Sequence, residues 1–179
     1  KFYINGIEVP VINHFQTQGA SGGPRGIITV DFIKDVDFYS GAFPARRNGV
    51  LSSLFEFNLK EARKEKLGYK AVLGLDDLQI MVDGPLSKDQ TWSGLFSVRK
   101  SNLQLLFKAI GLPFLPSYYD GTFKIAKKFQ SGDELFFLGM GAKDSFEFNE
   151  DAEPTFTNLT PSKKLSFVIS ISRCLCSEI

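Results

Sequence analysis

The chain has 179 residues, room for one ordinary domain or parts of two, with a formal net charge of +1. That balance offers nothing to nucleic acid or another polyanion, and no run approaches the ~18 apolar residues of a membrane helix. Its 43% hydrophobic and 23% charged residues sit in the globular range, but 18 Phe stand beside one Trp, two Met and one His. Side chains that favour strands are therefore abundant.

In chain order, "FYINGIEVP" is a hairpin signal. Asn5-Gly6 is the preferred pair for a two-residue type I′ turn, flanked by Phe2-Tyr3-Ile4 and Ile7-Glu8-Val9. "NHFQTQGASGGPRG" comes next, with Gly19, Gly22, Gly23 and Gly26. It matches neither phosphate-loop pattern and reads as an irregular connection, with His14 a packed or solvent-facing loop residue. Asp31 is placed to cap a very short helix before the chain extends again through Val36-Asp37-Phe38-Tyr39. "SGAFPARRNGV" then turns the chain. Residues 51–59 alternate Leu51, Ser53, Phe55, Phe57 and Leu59 against Ser52, Leu54, Glu56, Asn58 and Lys60. The charge run "KEARKEK", residues 60–66, reads as a solvated linker and marks a boundary.

Beyond it the strands lengthen. Tyr69, Ala71, Leu73 and Leu75 alternate with Lys70, Val72, Gly74 and Asp76, and Leu78, Ile80 and Val82 alternate with Gln79, Met81 and Asp83. The parity on the two sides of Asp76-Asp77 agrees only if a bulge or turn sits there. Trp92, Gly94, Phe96 and Val98 separate from Ser93, Leu95, Ser97 and Arg99, and Phe123 and Ile125 from Thr122, Lys124 and Ala126. "DELFFLGMGA" is apolar on both faces. Long strands with one apolar and one polar or small face suit a soluble sandwich or an outer-membrane barrel, and periodicity leaves both open. Aromatics near strand ends, Trp92 and Tyr118-Tyr119, fit the interfacial girdles of the barrel.

Chemistry-bearing residues are few. Cys174 and Cys176 lie too close together to bridge comfortably, with no further thiol and with the single His14 distant, so neither a disulfide nor a metal site is expected. No nucleophile and base are suggested together. The acidic pairs Asp76-Asp77 and Glu150-Asp151 read as turn or loop residues, and no enzyme is expected.

The stretch from "INGIEVP" through "GASGGPRG" and "VDFIKDVDFYSGAFPA" to "LSSLFEF" resembles the later part of the plug domain of TonB-dependent outer-membrane receptors of the Bacteroidetes type. The downstream stretch, "DGPL…FSVRKSNLQLLFKAIGLPFLPSYYDGTFKIAKKF", resembles the first barrel strands of the same receptors, and the resemblance covers roughly residues 3 to 150. Where that family commonly has a YGN-like stretch, this chain has Arg46-Arg47-Asn48-Gly49.

The expected fold is mainly β with minor α: the end of an α+β plug domain over 1–59, a linker over 60–66, and the first strands of an incomplete outer-membrane β-barrel over 67–149. The tail, 150–179, reads as a strand ("LSFVISIS" alternates) or as the end of a truncated or shifted frame. The chain opens directly in a strand pattern, as an internal piece of a longer protein would. The resemblance implies energised uptake of a scarce substrate of the siderophore, cobalamin or glycan class across the outer membrane of a Gram-negative cell, with no cofactor and no covalent step. The implied partners are outer-membrane lipid and the TonB energy-coupling complex, acting through a segment absent from these residues. Arg46, Arg47, Arg99 and Lys124 are the candidates for contact between plug and wall, or else ordinary surface charges. The rival reading is a soluble β-sandwich binding module, for instance one that recognises glycans.

Overall fold

The computed structural model describes residues 1–15, 23 and 25–149, together with the backbone of 163–174. The chain divides into two compact units, Lys1–Glu61 and Ala62–Ile179, and the division falls inside the 60–66 charge run.

In the first unit, β1 (Phe2–Ile4) and β2 (Ile7–Val9) form the hairpin anticipated at Asn5-Gly6, with Ile4 opposite Ile7. Both turn residues have positive φ, 47° and 83°, as a type I′ turn demands. Asn5 also ties this turn to the sheet, because its Oδ1 accepts the Leu59 N–H at 2.7 Å. A short ladder of β3 (Asn13–His14) with β4 (Arg25–Gly26) spans the ends of the glycine-rich connection. The sequence placed His14 in a loop, but it lies in β3 and is fully buried. β5 (Ile33–Tyr39) and β6 (Leu54–Leu59) complete a mixed sheet of order β2-β1-β6-β5, in which β1 and β6 run parallel. Ile4, Val9, Phe32, Leu54 and Leu59 form its core.

Two expectations are corrected by this unit. The strand expected over 51–59 starts at Leu54, and Leu51 stands almost fully exposed in the turn. Asp31 caps nothing. It is the middle residue of a 3-10 turn, Val30–Phe32, preceded by Thr29, whose side chain makes no capping bond.

The second unit is one antiparallel sheet laid down in chain order: β7 (Gly68–Leu73), β8 (Asp77–Pro85), β9 (Trp92–Ser101), β10 (Phe114–Lys128), β11 (Glu134–Phe148) and β12 (Lys163–Cys174). The sheet is open, with β7 and β12 at its edges, and no barrel is closed among the described residues. The tail that the sequence left undecided is, over 163–174, a strand paired along β11, while Cys176 and Glu150-Asp151 lie outside the described residues. The break in parity at 76–77 is a turn closed by the Gly74 N–H on the Asp77 carbonyl at 2.8 Å. Asp77, expected in the turn, is the first residue of β8 and is buried.

β10 and β11 are 15 residues each, far longer than the usual strand. Pro116 fits inside β10 because β9 pairs only with Tyr119 onwards. Tyr118, of the same parity, sends its N–H toward Ser101 Oγ, so the missing N–H of Pro116 points to the side where no strand lies.

Within the stretch that resembles the first barrel strands, β9 and β10 are separated by a helix, α1 (Leu103–Ala109). Leu103, Leu106 and Phe107 have the spacing of one helical face, Phe107 meets Phe114 edge-to-face at 5.4 Å, and Gly111 at φ 72° ends the turn. No residue of α1 is fully buried.

Replacing Asn5 by Ala removes the Leu59 bond and puts a non-glycine residue of poorer left-handed tolerance in the turn. The expected loss is about 1–2 kcal/mol, read as a lower denaturant midpoint in equilibrium unfolding.

Candidate functional site

The long sheet has its polarity reversed. In β8 the buried row is Asp77, Gln79, Met81 and Asp83, while Leu78 and Ile80 are exposed. In β9 Ser97, Arg99 and Ser101 are buried, whereas Trp92, Phe96 and Val98 are exposed by 36–60%. β10 continues the pattern, with Tyr118, Asp120, Thr122 and Lys124 buried and Tyr119 half exposed. The alternation anticipated for β8 and β9 is present, but the face with the charges is the sheltered one. Charged side chains are rarely buried unless paired, so their partners decide whether the arrangement holds.

The partners come from neighbouring strands. Arg99 sits directly opposite Asp120 and binds it through Nε at 2.8 Å and Nη2 at 2.7 Å. Its Nη1 lies 3.7 Å from Asp77 Oδ2, which also accepts the Tyr118 hydroxyl at 3.2 Å. The guanidinium stands 5.3 Å from the centre of the Tyr118 ring, and Gln79 Nε2 donates to Ser97 Oγ at 3.2 Å. Further along the same face, Lys124 Nζ is 3.6 Å from Glu134 Oε1, and Lys128 approaches the other oxygen at 3.9 Å. One cation thus meets two carboxylates at one end, and two cations meet one carboxylate at the other. Each of these charges is met by an opposite one on a neighbouring strand.

Arg46 and Arg47 belong to the first unit. Both converge on the buried Glu56: Arg47 pairs with Oε1 through Nη2, and Arg46 approaches Oε2 at 3.6 Å. Arg47 also donates to the Gly6 carbonyl at 2.8 Å and lies over the Tyr3 ring at 4.2 Å, which fastens the "PARRNG" turn to the β1–β2 hairpin. Of the four candidate contact residues, only Arg46 is an exposed surface charge. The side chains of Arg47, Arg99 and Lys124 are each at least nine-tenths buried, and each is paired within its own unit. Sequence reasoning passed over their carboxylate partners, Glu56, Asp77, Asp120 and Glu134. A signal was present in β10, where Tyr118, Asp120, Thr122 and Lys124 recur at the period of one strand face.

A smaller cluster edges the first unit. Glu8 accepts from Lys1 Nζ and from the Tyr3 hydroxyl, each at 3.0 Å. The Lys1 ammonium first, and the Tyr3 hydroxyl second, hold the Glu8 carboxyl below its ordinary range. Burial, reinforced by the carboxylate beside it, pushes the Tyr3 hydroxyl up.

On the exposed side the strand register sets out five rows across β9, β10 and β11. In order along the strands they are Lys100–Tyr119–Lys143, Val98–Gly121–Gly141, Phe96–Phe123–Gly139, Gly94–Ile125–Phe137 and Trp92–Lys127–Leu135. Three apolar rows are thereby bounded at each end by lysine beside an aromatic ring. Lys100 lies 5.6 Å from the Tyr119 ring centre, and Lys127 lies 5.2 Å from that of Trp92. The Phe96, Phe123 and Phe137 rings contact one another in sequence, and the Phe123 ring covers Gly139, where a Cβ would strike it.

Comparison with protein-family models, with curated proteins and with solved structures gives no match for this chain.

Arg99→Met leaves Asp120 and Asp77 buried without their cation, and a loss of about 3–5 kcal/mol is expected in denaturant unfolding. For Glu8, Lys1→Ala is expected to move the carboxyl titration upward, and Tyr3→Phe to move it upward by less, as followed by NMR. Because the folded value is the depressed one, stability from this contact is present above the unfolded value and is lost as pH falls through the folded one.

Proposed function

We propose that this chain is part of a TonB-dependent outer-membrane receptor, in which residues 67–149 supply the first strands of the transmembrane wall and residues 1–59 the end of the plug. The observation that carries the reading is the reversed polarity of the long sheet, with charges paired on the sheltered face and Phe, Val, Ile and Trp on the open one. A membrane wall has this polarity, because its outer face meets hydrocarbon and its inner face meets a polar lumen.

The dimensions agree. Trp92 and Lys100 bound the apolar band on β9 and stand eight residues apart, roughly 26 Å along a strand, or ~20 Å in height at the tilt usual for wall strands. The apolar belt of such walls is about 25 Å tall and is flanked by aromatic girdles, the positions that Trp92 and Tyr119 hold here. On this reading the role is energised uptake without covalent chemistry, coupled through TonB, and the paired residues on the sheltered face line the lumen. The plug is the part that moves. Arg46 and Arg47 rigidify its hairpin through Glu56.

A soluble β-sandwich module would need the opposite polarity, or a second layer over the Phe96–Phe123–Phe137 face. Trp92, the single tryptophan, separates the two readings. In micelles or bilayers with brominated acyl chains, its fluorescence should be quenched, more strongly by bromine near the headgroup than by bromine deep in the chain, and aqueous acrylamide should have little effect. In plain buffer the chain should associate, since a wide apolar face and two open edges have nothing to cover them. A monodisperse monomer in buffer, with Trp92 open to acrylamide, would overturn the membrane reading in favour of the soluble module.

A further inference from the structure

The outward rows hold one feature that a uniform lipid-facing surface does not need. Gly121, Gly139 and Gly141 interrupt the ridge of large side chains and floor a groove of about 310 Å3, walled by Phe96, Val98 and Phe123. An apolar wall that meets only fluid hydrocarbon has no use for such a slot.

The groove has a direction. Its Val98–Gly121–Gly141 row is followed immediately along the strands by Lys100–Tyr119–Lys143. Lys100 and Lys143 flank the tyrosine on the two adjacent strands, so their Cα atoms are two strand spacings apart, roughly 9.5 Å. Both are exposed, and neither has a carboxylate within ion-pair distance among the described residues. At the opposite end of the band only Lys127 faces out from the three strands, and it is spent on two rings, Trp92 and Phe129. The end beside the groove therefore carries two ammonium groups against one, with Lys100 resting 5.6 Å from the Tyr119 ring centre and Lys143 on no ring among the described residues, together with a tyrosine hydroxyl able to donate to an anion held there.

We propose that this surface is a site for one anionic lipid, with an acyl chain in the glycine-floored groove and the headgroup phosphate held between Lys100 and Lys143 beside Tyr119. The inference rests on the reading of the sheet as a membrane wall. Its occupant is dictated by the pairing of an apolar slot with two unneutralised cations at its mouth. A zwitterionic headgroup supplies no net charge for two lysines, and an apolar peptide supplies no phosphate. Gly121 is what keeps the groove open: a Cβ there would meet only Ser97 O at 3.5 Å and Val98 Cγ1 at 3.8 Å, so a larger side chain would fit without disturbing the sheet and would occupy the slot.

The test is native mass spectrometry of the full chain released from nanodiscs of mixed phosphatidylglycerol and phosphatidylcholine, with Trp92 quenching by brominated lipid read on the same samples. The wild-type chain should retain one phosphatidylglycerol in preference to phosphatidylcholine. Lys100→Gln combined with Lys143→Gln should lower that retention about ten-fold or more, at the strength expected of two lysines near an anionic surface. Gly121→Leu should lower it with the charges intact, and Lys64→Gln with Lys66→Gln in the 60–66 run should leave it unchanged. Retention that survives the double lysine substitution, or survives Gly121→Leu, overturns the site. Trp92 quenched in a wild-type chain that shows no preference for the anionic lipid sinks this proposal alone, whereas Trp92 that is not quenched sinks the membrane reading and this site with it.

Discussion

Arg99, shared between Asp120 on the next strand and Asp77 on the strand before, is the interaction on which the arrangement of the long sheet depends. Three strands are pinned by one side chain. A guanidinium withdrawn from water is tolerated only where carboxylates meet it with good geometry, so the pairing of β8, β9 and β10 cannot slip by one residue without stranding a buried charge. Such a network is costly as a source of stability and effective as a source of register. The second charged group, Lys124 and Lys128 on Glu134, fixes β10 to β11 in the same manner near the opposite end of the same face.

Once the charges hold one face, the other face is committed by the pleat. Successive side chains point to opposite sides, so burying Arg99, Ser97 and Ser101 forces Val98 and Phe96 outward. The sheet cannot choose the two faces separately. Its exposed side is accordingly rich in aromatic and β-branched residues over at least three adjoining strands, with phenylalanine rings in contact along the middle rows. A folded chain in water avoids presenting such a surface, and hydrocarbon is the solvent in which the arrangement costs least. The receptor reading draws its support from this coupling, since one alternation accounts for both the sheltered ion pairs and the open phenylalanines.

The first unit obeys a related rule at smaller scale. β6 buries Leu54, Glu56 and Leu59 and leaves Phe55 and Phe57 partly open, where Phe2 and Phe38 join them in a cluster of rings. Glu56 is tolerated inside because Arg46 and Arg47 reach it from the preceding turn. That turn is therefore a fastening of the hairpin as well as a connection. Its two arginines answer to the carboxylate inside their own unit.

Much of this was legible in the sequence. The Asn5-Gly6 hairpin and the parity of β8 and β9 rest on local geometry: a turn that needs positive φ, and side chains that alternate with every residue. Elements that misled the reading were those where local and tertiary preferences part. "LQLLFKA" has a helical spacing only seven residues long, inside a region of strand-like composition. Asp77 looks like its neighbour Asp76, and only the strand that begins there separates them. By itself the sequence determined that long strands would carry one apolar and one polar row, because period two is a property of the extended backbone. Only the tertiary structure decided which row would be sheltered, and which carboxylate would meet Arg99, Lys124 or Arg47. Those choices depend on which segments fold beside one another, 21 residues apart for Arg99 and Asp120 and 9 for Arg47 and Glu56, and no local pattern encodes the free energy of a buried charge until its partner is beside it.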